Sequence, residues 1–126
     1  MLSFGRIGRV FLARAPQDMR RGIDSLVLVV QRELEHDPFA GDCFVFLSRN
    51  RRRLKALLWE DGGFWLCLKR LERGTFAHAN RVLIGDGPAA TVTPAAMHAL
   101  LEGIDAQKVR YRRRERTVLG KSERFR

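Results

Sequence analysis

Residues 43–71 read "CFVFLSRNRRRLKALLWEDGGFWLCLKRL", and the fold is decided there. Three apolar runs, at 43–47, 54–59 and 64–71, have the length and the aromatic and aliphatic content of β-strands. "CFVFL" is apolar at every position, which marks a strand covered on both faces. "EDGG" separates the second run from the third. An Asp-Gly pair there predicts a tight hairpin, because a two-residue turn needs positive φ and glycine adopts it without strain. "SRNRRRLK" (48–55) separates the first run from the second, with four arginines and a lysine in eight positions. The densest internal cluster of positive charge thus falls in a loop between two strands.

Working outward, "RVFLA" (9–13) predicts a first short strand, ended by Pro16. Asp18 can cap a helix by accepting free first-turn amides. Ile23, Leu26, Val27, Val30 and Leu34 then recur with helical spacing and define a core-facing stripe. Gly22 costs about 1 kcal/mol against alanine inside a helix, so it either permits close packing or marks the first turn. "HDPFAGD" (36–42) stops the helix. "GTFAH" (74–78) reads as a short fourth strand and 80–90 as a loop with little strand character. Residues 91–105 predict a second helix, with Thr93 as cap, Pro94 at the first helical position, and an apolar stripe of Met97, Leu100, Leu101 and Ile104. Gly103 stands where a left-handed C-terminal cap would fall.

The expected fold class is α+β: a small antiparallel sheet of three to five strands, packed with one long and one short helix. Residues 1–107 are expected to form a single domain. Residues 108–126 are expected to be a basic, flexible tail. That stretch holds nine of the 24 Lys and Arg and two of the 14 acids, a net of +7 out of +10 for the chain. A basic arm on a mildly basic body points to a polyanionic partner, nucleic acid before anionic membrane. The arm has no amphipathic stripe, which counts against a membrane-surface helix. No run of 18 apolar residues is present. The first sixteen residues are too interrupted by Arg and Gly for a secretory signal, so a protein of the cytoplasm or nucleoid is expected.

Three internal clusters and the tail compete as binding sites. Arg49, Arg51, Arg52, Arg53 and Lys55 read equally as a solvated hairpin tip or as a rigid phosphate contact, with docking to an acidic protein as the minor reading; arginine forks match phosphate oxygens at any relevant pH. Lys69, Arg70 and Arg73 follow in the neighbouring run. Strand alternation turns Lys69 to one face and Arg70 with Glu72 to the other. An Arg70–Glu72 pair is the bland reading there, and an extension of the loop's positive surface is the functional one. Arg20 and Arg21 sit at the start of the first helix, where the helix dipole disfavours cations. Pairing with Asp18 or Asp24 is the bland account of them. In the tail, Arg110, Arg112, Arg113 and Arg114 flank Tyr111, its obvious stacking candidate.

Signals for catalysis are weak. Asp18, Asp24, Glu60 and Asp61 are the acids from which a metal-dependent nuclease would have to be built, and their spacing suggests no paired acid and base. There is no phosphate-binding glycine motif, no metal-ligand spacing and no cofactor motif. Cys43 and Cys67 both fall in apolar runs and read as buried free thiols.

Four stretches in order, "DMRRGIDSLVLVVQ", "DPFAGDCFVFLSRNRRRLKALLWEDG", "GFWLCLKRLERGTF" and "VTPAAMHALLEGID", resemble the TnpB-type accessory proteins of bacterial insertion sequences of the sixty-six family. The resemblance covers roughly residues 5–105, with Asp18, Arg20, Arg21 and Gly22 among its best-matching positions. It implies a small protein encoded beside a separate DDE-type transposase and a second accessory protein, supporting transposition while the transposase carries the chemistry. It transfers no catalytic residues. The expected function is a non-catalytic accessory factor that binds DNA backbone with weak sequence preference. An adaptor that docks on the transposase without touching DNA is the alternative.

Overall fold

The computed structural model describes residues 8–76 and 84–102. The elements are β1 (Val10–Ala13), α1 (Ile23–Arg32), β2 (Cys43–Leu47), β3 (Arg53–Glu60), β4 (Gly63–Arg70), β5 (Ala89–Val92) and α2 (Pro94–Glu102). The strands form one sheet in the order β4-β3-β2-β1-β5.

The sheet is mixed, not the antiparallel one expected. β1 and β2 pair in parallel, with Phe11 beside Phe44. The physical reason is α1. It carries the chain back along the sheet, so β2 starts at the same end as β1, as a parallel pair requires. β3 and β4 do form the expected hairpin. Glu60 lies opposite Gly63, and the two turn residues between them have φ +48 (Asp61) and +83 (Gly62), as a primed turn needs.

β5 lies within a stretch read as loop running into helix. "AATV" has little strand character of its own, yet it pairs antiparallel with all of β1. α2 therefore begins at Pro94, with the Thr93 hydroxyl accepting the Ala96 amide at 3.1 Å, as the cap reading expected. Thr91 and Val92 belong to the strand. Residues 74–76 form no strand, and the rest of "GTFAH" lies outside the described residues. So do Gly103, Ile104 and the basic tail.

α1 is also shorter than expected, at ten residues against nine described for α2. Gly22 is its N-cap, and a Cβ there would touch nothing within 4 Å, so close packing is not its role. Asp18 closes a separate turn upstream, accepting the Arg20 amide at 2.8 Å.

Each face of the sheet has its own core, because β1 and β2 are buried on both sides. On one face Leu26, Val29 and Val30 of α1 pack on Phe11, Phe44, Phe46 and Leu57. On the other, Met97 and Leu100 of α2 pack with Phe76 on Leu12, Val45, Leu54 and Ala56. Each such large apolar side chain contributes about 1.5–3 kcal/mol by leaving water. Cys43 is fully buried, and burial pushes its thiol up to about 12, helped by the nearby Cys67 and Asp42. Cys67 is only half-buried.

Candidate nucleic-acid interface

The topology gathers one end of every element at the same place. The C-terminal ends of β1, β2 and β4 and the N-terminal end of β3 lie together. The start of α1 joins them, because the helix runs back against β1. The connections that emerge there are 14–22, 48–52 and 71–76, which carry most of the described arginines.

The 48–52 connection is a built loop. The buried Ser48 hydroxyl donates to Asn50 Oδ1 at 2.8 Å and accepts the Arg53 amide at 3.0 Å. Asn50 Oδ1 also accepts the Arg52 amide at 3.1 Å, the local bond by which Asn shapes turns. Arg51 takes φ +57, and its amide donates to the Ser48 carbonyl at 2.9 Å. The outer carbonyls are tied as well. Arg52 O accepts from Leu71 N and Arg51 O from Phe76 N, both at 2.8 Å. Phe76 is fully buried and anchors that second segment. The backbone of the arginine loop is thus fixed from inside and from behind, while the Arg49 and Arg52 side chains stand exposed.

On the α1 face, Arg53 lies directly opposite Arg70. Like charges in that position repel. Arg70 is relieved by Glu72, to which its guanidinium donates at 2.9 and 2.7 Å, the bland pairing expected from the sequence. Arg49, Arg52, Arg53 and Arg73 have no side-chain hydrogen bond or ion pair among the described residues.

The 18–22 turn sits beside the loop. Gln17 N donates to Leu47 O at 2.9 Å, and Lys55 Nζ donates to the carbonyls of Met19 and Arg21, each at 2.8 Å. Lys55 is thereby committed to holding this turn on β3. Arg20 grips Asp18 through its guanidinium, at 2.7 Å for the closest contact, and holds that carboxyl down at about 2. Arg21 donates to the Ser25 hydroxyl at 2.6 Å. Asp18, Arg20, Arg49, Asn50 and Arg53 together line a shallow hollow between turn and loop.

One expected neighbour is elsewhere. Lys69 projects on the α2 face, and its Nζ donates to the Leu101 carbonyl near the end of α2, a favourable place for a cation. Arg70, paired with Glu72, and Arg73 are near the loop, whereas Lys69 is on the other face. Arg110, Arg112, Arg113 and Arg114 lie outside the described residues. Arg14 was missed by sequence reasoning. It stands at this end of β1, and its Nε donates to the Gly87 carbonyl at 2.7 Å. Ser48 and Asn50, which build the loop, were also passed over, although a Ser-x-Asn at a strand end is a turn signal.

The acids a nuclease would need are divided between the two ends of the sheet. Asp18 and Asp24 lie with the arginines, Glu60 and Asp61 at the far end. Among the described residues, no group of three or more His, Cys, Asp or Glu is placed to hold a metal ion. An apolar cavity of about 420 Å³ between α2 and the β1–β5 pair is lined by Val10, Val92, Met97, His98 and Leu101, away from the arginine loop. No described helix is long and apolar enough to cross a membrane.

Comparison with known proteins places these features in a family. The family described as IS66 Orf2-like protein matches residues 8–111. "Uncharacterized protein y4hO" of Sinorhizobium fredii (strain NBRC 101917 / NGR234) is 42% identical over 106 residues, covering 83% of this chain and 88% of its own length. "Uncharacterized protein y4jC" of the same organism is 35% identical over 102 residues, covering 81% and 84%. No solved structure matches.

Proposed function

This chain belongs to the IS66 Orf2-like family, whose members have an accessory role in transposition, and from that premise we propose that it grips the DNA backbone with the arginine end of its sheet. The observation that carries this reading is the fixed loop 48–52. Its three arginines, with Arg53 next to them at the start of β3, stand on a backbone with little freedom left to lose, so binding phosphate costs little ordering entropy. Arg49, Arg52, Arg53 and Arg73 supply guanidinium groups that no described residue occupies. Arg20 faces Arg49 and Arg53 across the hollow.

The chain acts without catalysis in this reading. Its contacts go to phosphate, which positions a protein on a duplex without reading sequence. Arg110, Arg112, Arg113 and Arg114 add a second, sequence-independent hold. Partners are DNA, the element's transposase and its second accessory protein, and the protein works in the cytoplasm or on the nucleoid.

The test is binding of a fluorescent duplex as a function of salt. Contact with about 5–8 phosphates gives a slope of log affinity against log salt near −5 to −7. Three proteins are compared: the full chain, a chain ending at Asp105, and the full chain with Arg49, Arg51, Arg52 and Arg53 changed to Gln. The slope should flatten in both variants and divide the contacts between loop and tail. Absence of binding by the full chain at low salt would overturn the reading.

A further inference from the structure

The two edges of the sheet are finished differently. Beyond β5, Ile84 and Thr91 exchange backbone hydrogen bonds at 3.0 and 2.9 Å, and Arg14 holds the loop that follows Ile84. Beyond β4 no described strand follows. β4 is eight residues long, with no proline and full pairing to β3 along its length. Trp65 is 46% exposed on the α2 face and Leu68 59% exposed on the α1 face. A long edge with apolar residues on both faces is a template for another strand.

We infer that a second copy of this chain occupies that edge, its β4 antiparallel to the first across a two-fold axis normal to the sheet.

Hydrogen-bond phase and charge fix the register. Glu60 and Gly63 close a two-residue turn, so they are a hydrogen-bonded pair, and Gly63, Trp65, Cys67 and Lys69 bond to β3. The backbone groups of Phe64, Leu66, Leu68 and Arg70 therefore point out of the free edge. A two-fold axis normal to the sheet preserves faces, so opposite residues must share a face. Centring the pair on Cys67 sets Leu66 against Leu68, Phe64 against Arg70 and Trp65 against Lys69, and every outward group from Phe64 to Arg70 finds a partner. Each arginine or lysine then lies beside an aromatic ring, a favourable pairing. Arg73 comes toward Asp61 of the second copy, basic end to acidic turn. Centring on Leu66 instead sets Glu60 against Glu72 and leaves Arg70 opposite Gly62. Antiparallel pairing in either register puts the two arginine loops at opposite ends of a ten-stranded sheet, which limits repulsion between two chains of charge +10.

In this register the two Cys67 residues form a non-hydrogen-bonded pair, with Cα atoms about 4.5 Å apart. That falls within the roughly 4.4–6.8 Å a disulfide spans. Cys43 is fully buried and does not compete.

The test is sedimentation equilibrium of the nuclease-treated full chain in 0.5 M salt, without DNA. The wild type should show a concentration-dependent dimer. Leu68→Pro removes an amide that points outward, so it should abolish the dimer while leaving the far-UV spectrum unchanged. Leu68→Lys, which keeps the backbone amide, should do the same. Diamide oxidation should trap the wild-type dimer through Cys67 and fail with Cys67→Ser. A monomer at every concentration, or a dimer that survives both Leu68 variants, would overturn the inference; failure of the Cys67 cross-link would overturn the register. None of these outcomes depends on DNA binding, so the inference and the DNA reading fail separately.

Discussion

The two ends of the sheet are built from the same strands and carry opposite charge. One end presents the 48–52 loop, the 18–22 turn and Arg70 with Arg73. The other presents the Asp61–Gly62 turn, Glu60, and the end of α1 with Glu33, Glu35 and Asp37. Two described cations stand there, Arg32 in the last turn of α1 and Arg9, which donates to the buried Asp42 at 2.9 Å from its amide and 3.2 Å from its side chain. Neither end is a block in the sequence. Arg53 and Glu60 are two ends of one strand, and only strand direction separates them. The difference teaches that the charge asymmetry is a product of topology, and that one end is a braced platform while the other is a plain turn.

The largest expected effect tests the brace. Phe76 is fully buried beneath the arginine end, whereas Phe39 at the far end is 49% exposed against Trp59 and Phe64. Phe76→Ala should cost about 3–5 kcal/mol in urea unfolding through the cavity it leaves. Phe39→Ala should cost under about 1.5 kcal/mol, an aromatic contact with little lost burial. Equal losses would break the contrast between platform and turn.

Next comes charge itself. Changing Arg49, Arg51, Arg52 and Arg53 to Gln should flatten the salt slope of duplex binding by about 3–4, at roughly 0.9 per phosphate. Changing Glu33, Glu35 and Asp37 to their amides also alters net charge, but at the other end, and should leave the slope unchanged. A slope that follows net charge wherever it is altered would show that the ends are not distinct.

How far this arrangement was legible depends on the range of the interactions. The Asp61–Gly62 turn and the Thr93 cap were legible because each is set within a few residues. Strand alternation also placed Lys69 and Arg70 on opposite faces correctly. The parallel β1–β2 pair was not legible, since nothing local to "RVFLA" says which neighbour it will take. β5 was hidden because "AATV" is a strand only by pairing with β1. Asp18 was misread as the helix cap because it is the better capping residue type. Its carboxylate is instead taken by the Arg20 amide and guanidinium, leaving Gly22 at the helix start.

A pair of turn substitutions sharpens the comparison at smaller scale. Ser48→Ala removes the hydroxyl that joins Asn50 and Arg53 in a buried site, and should cost about 1–2 kcal/mol. Gly62→Ala places a side chain at φ +83 with open space around it, so the cost is backbone strain alone, about 1 kcal/mol. The first should also weaken duplex binding, because it loosens the loop that presents the arginines. The second should leave binding unchanged. Loss of binding in both would mean that general stability, rather than loop geometry, controls the interface.

The smallest expected effect is the titration of Asp18. Its carboxyl is held at about 2, first by the side-chain bond from Arg20 and then by the Arg20 amide, against 3.8 for a free carboxyl. A depressed folded value means the charged form is favoured in the folded chain, so this pair supports folding above about pH 4 and loses that support as pH falls toward 2. Both partners are exposed, so solvent screening keeps the contribution slight. Carboxyl carbon shifts measured by NMR should therefore place the Asp18 midpoint below those of ordinary exposed acids. Arg20→Gln should move it back toward 3.8 and free the turn. If the midpoint stays put in that variant, Arg20 is not held by Asp18 in solution, and its guanidinium joins Arg49 and Arg53 as a cation open to phosphate.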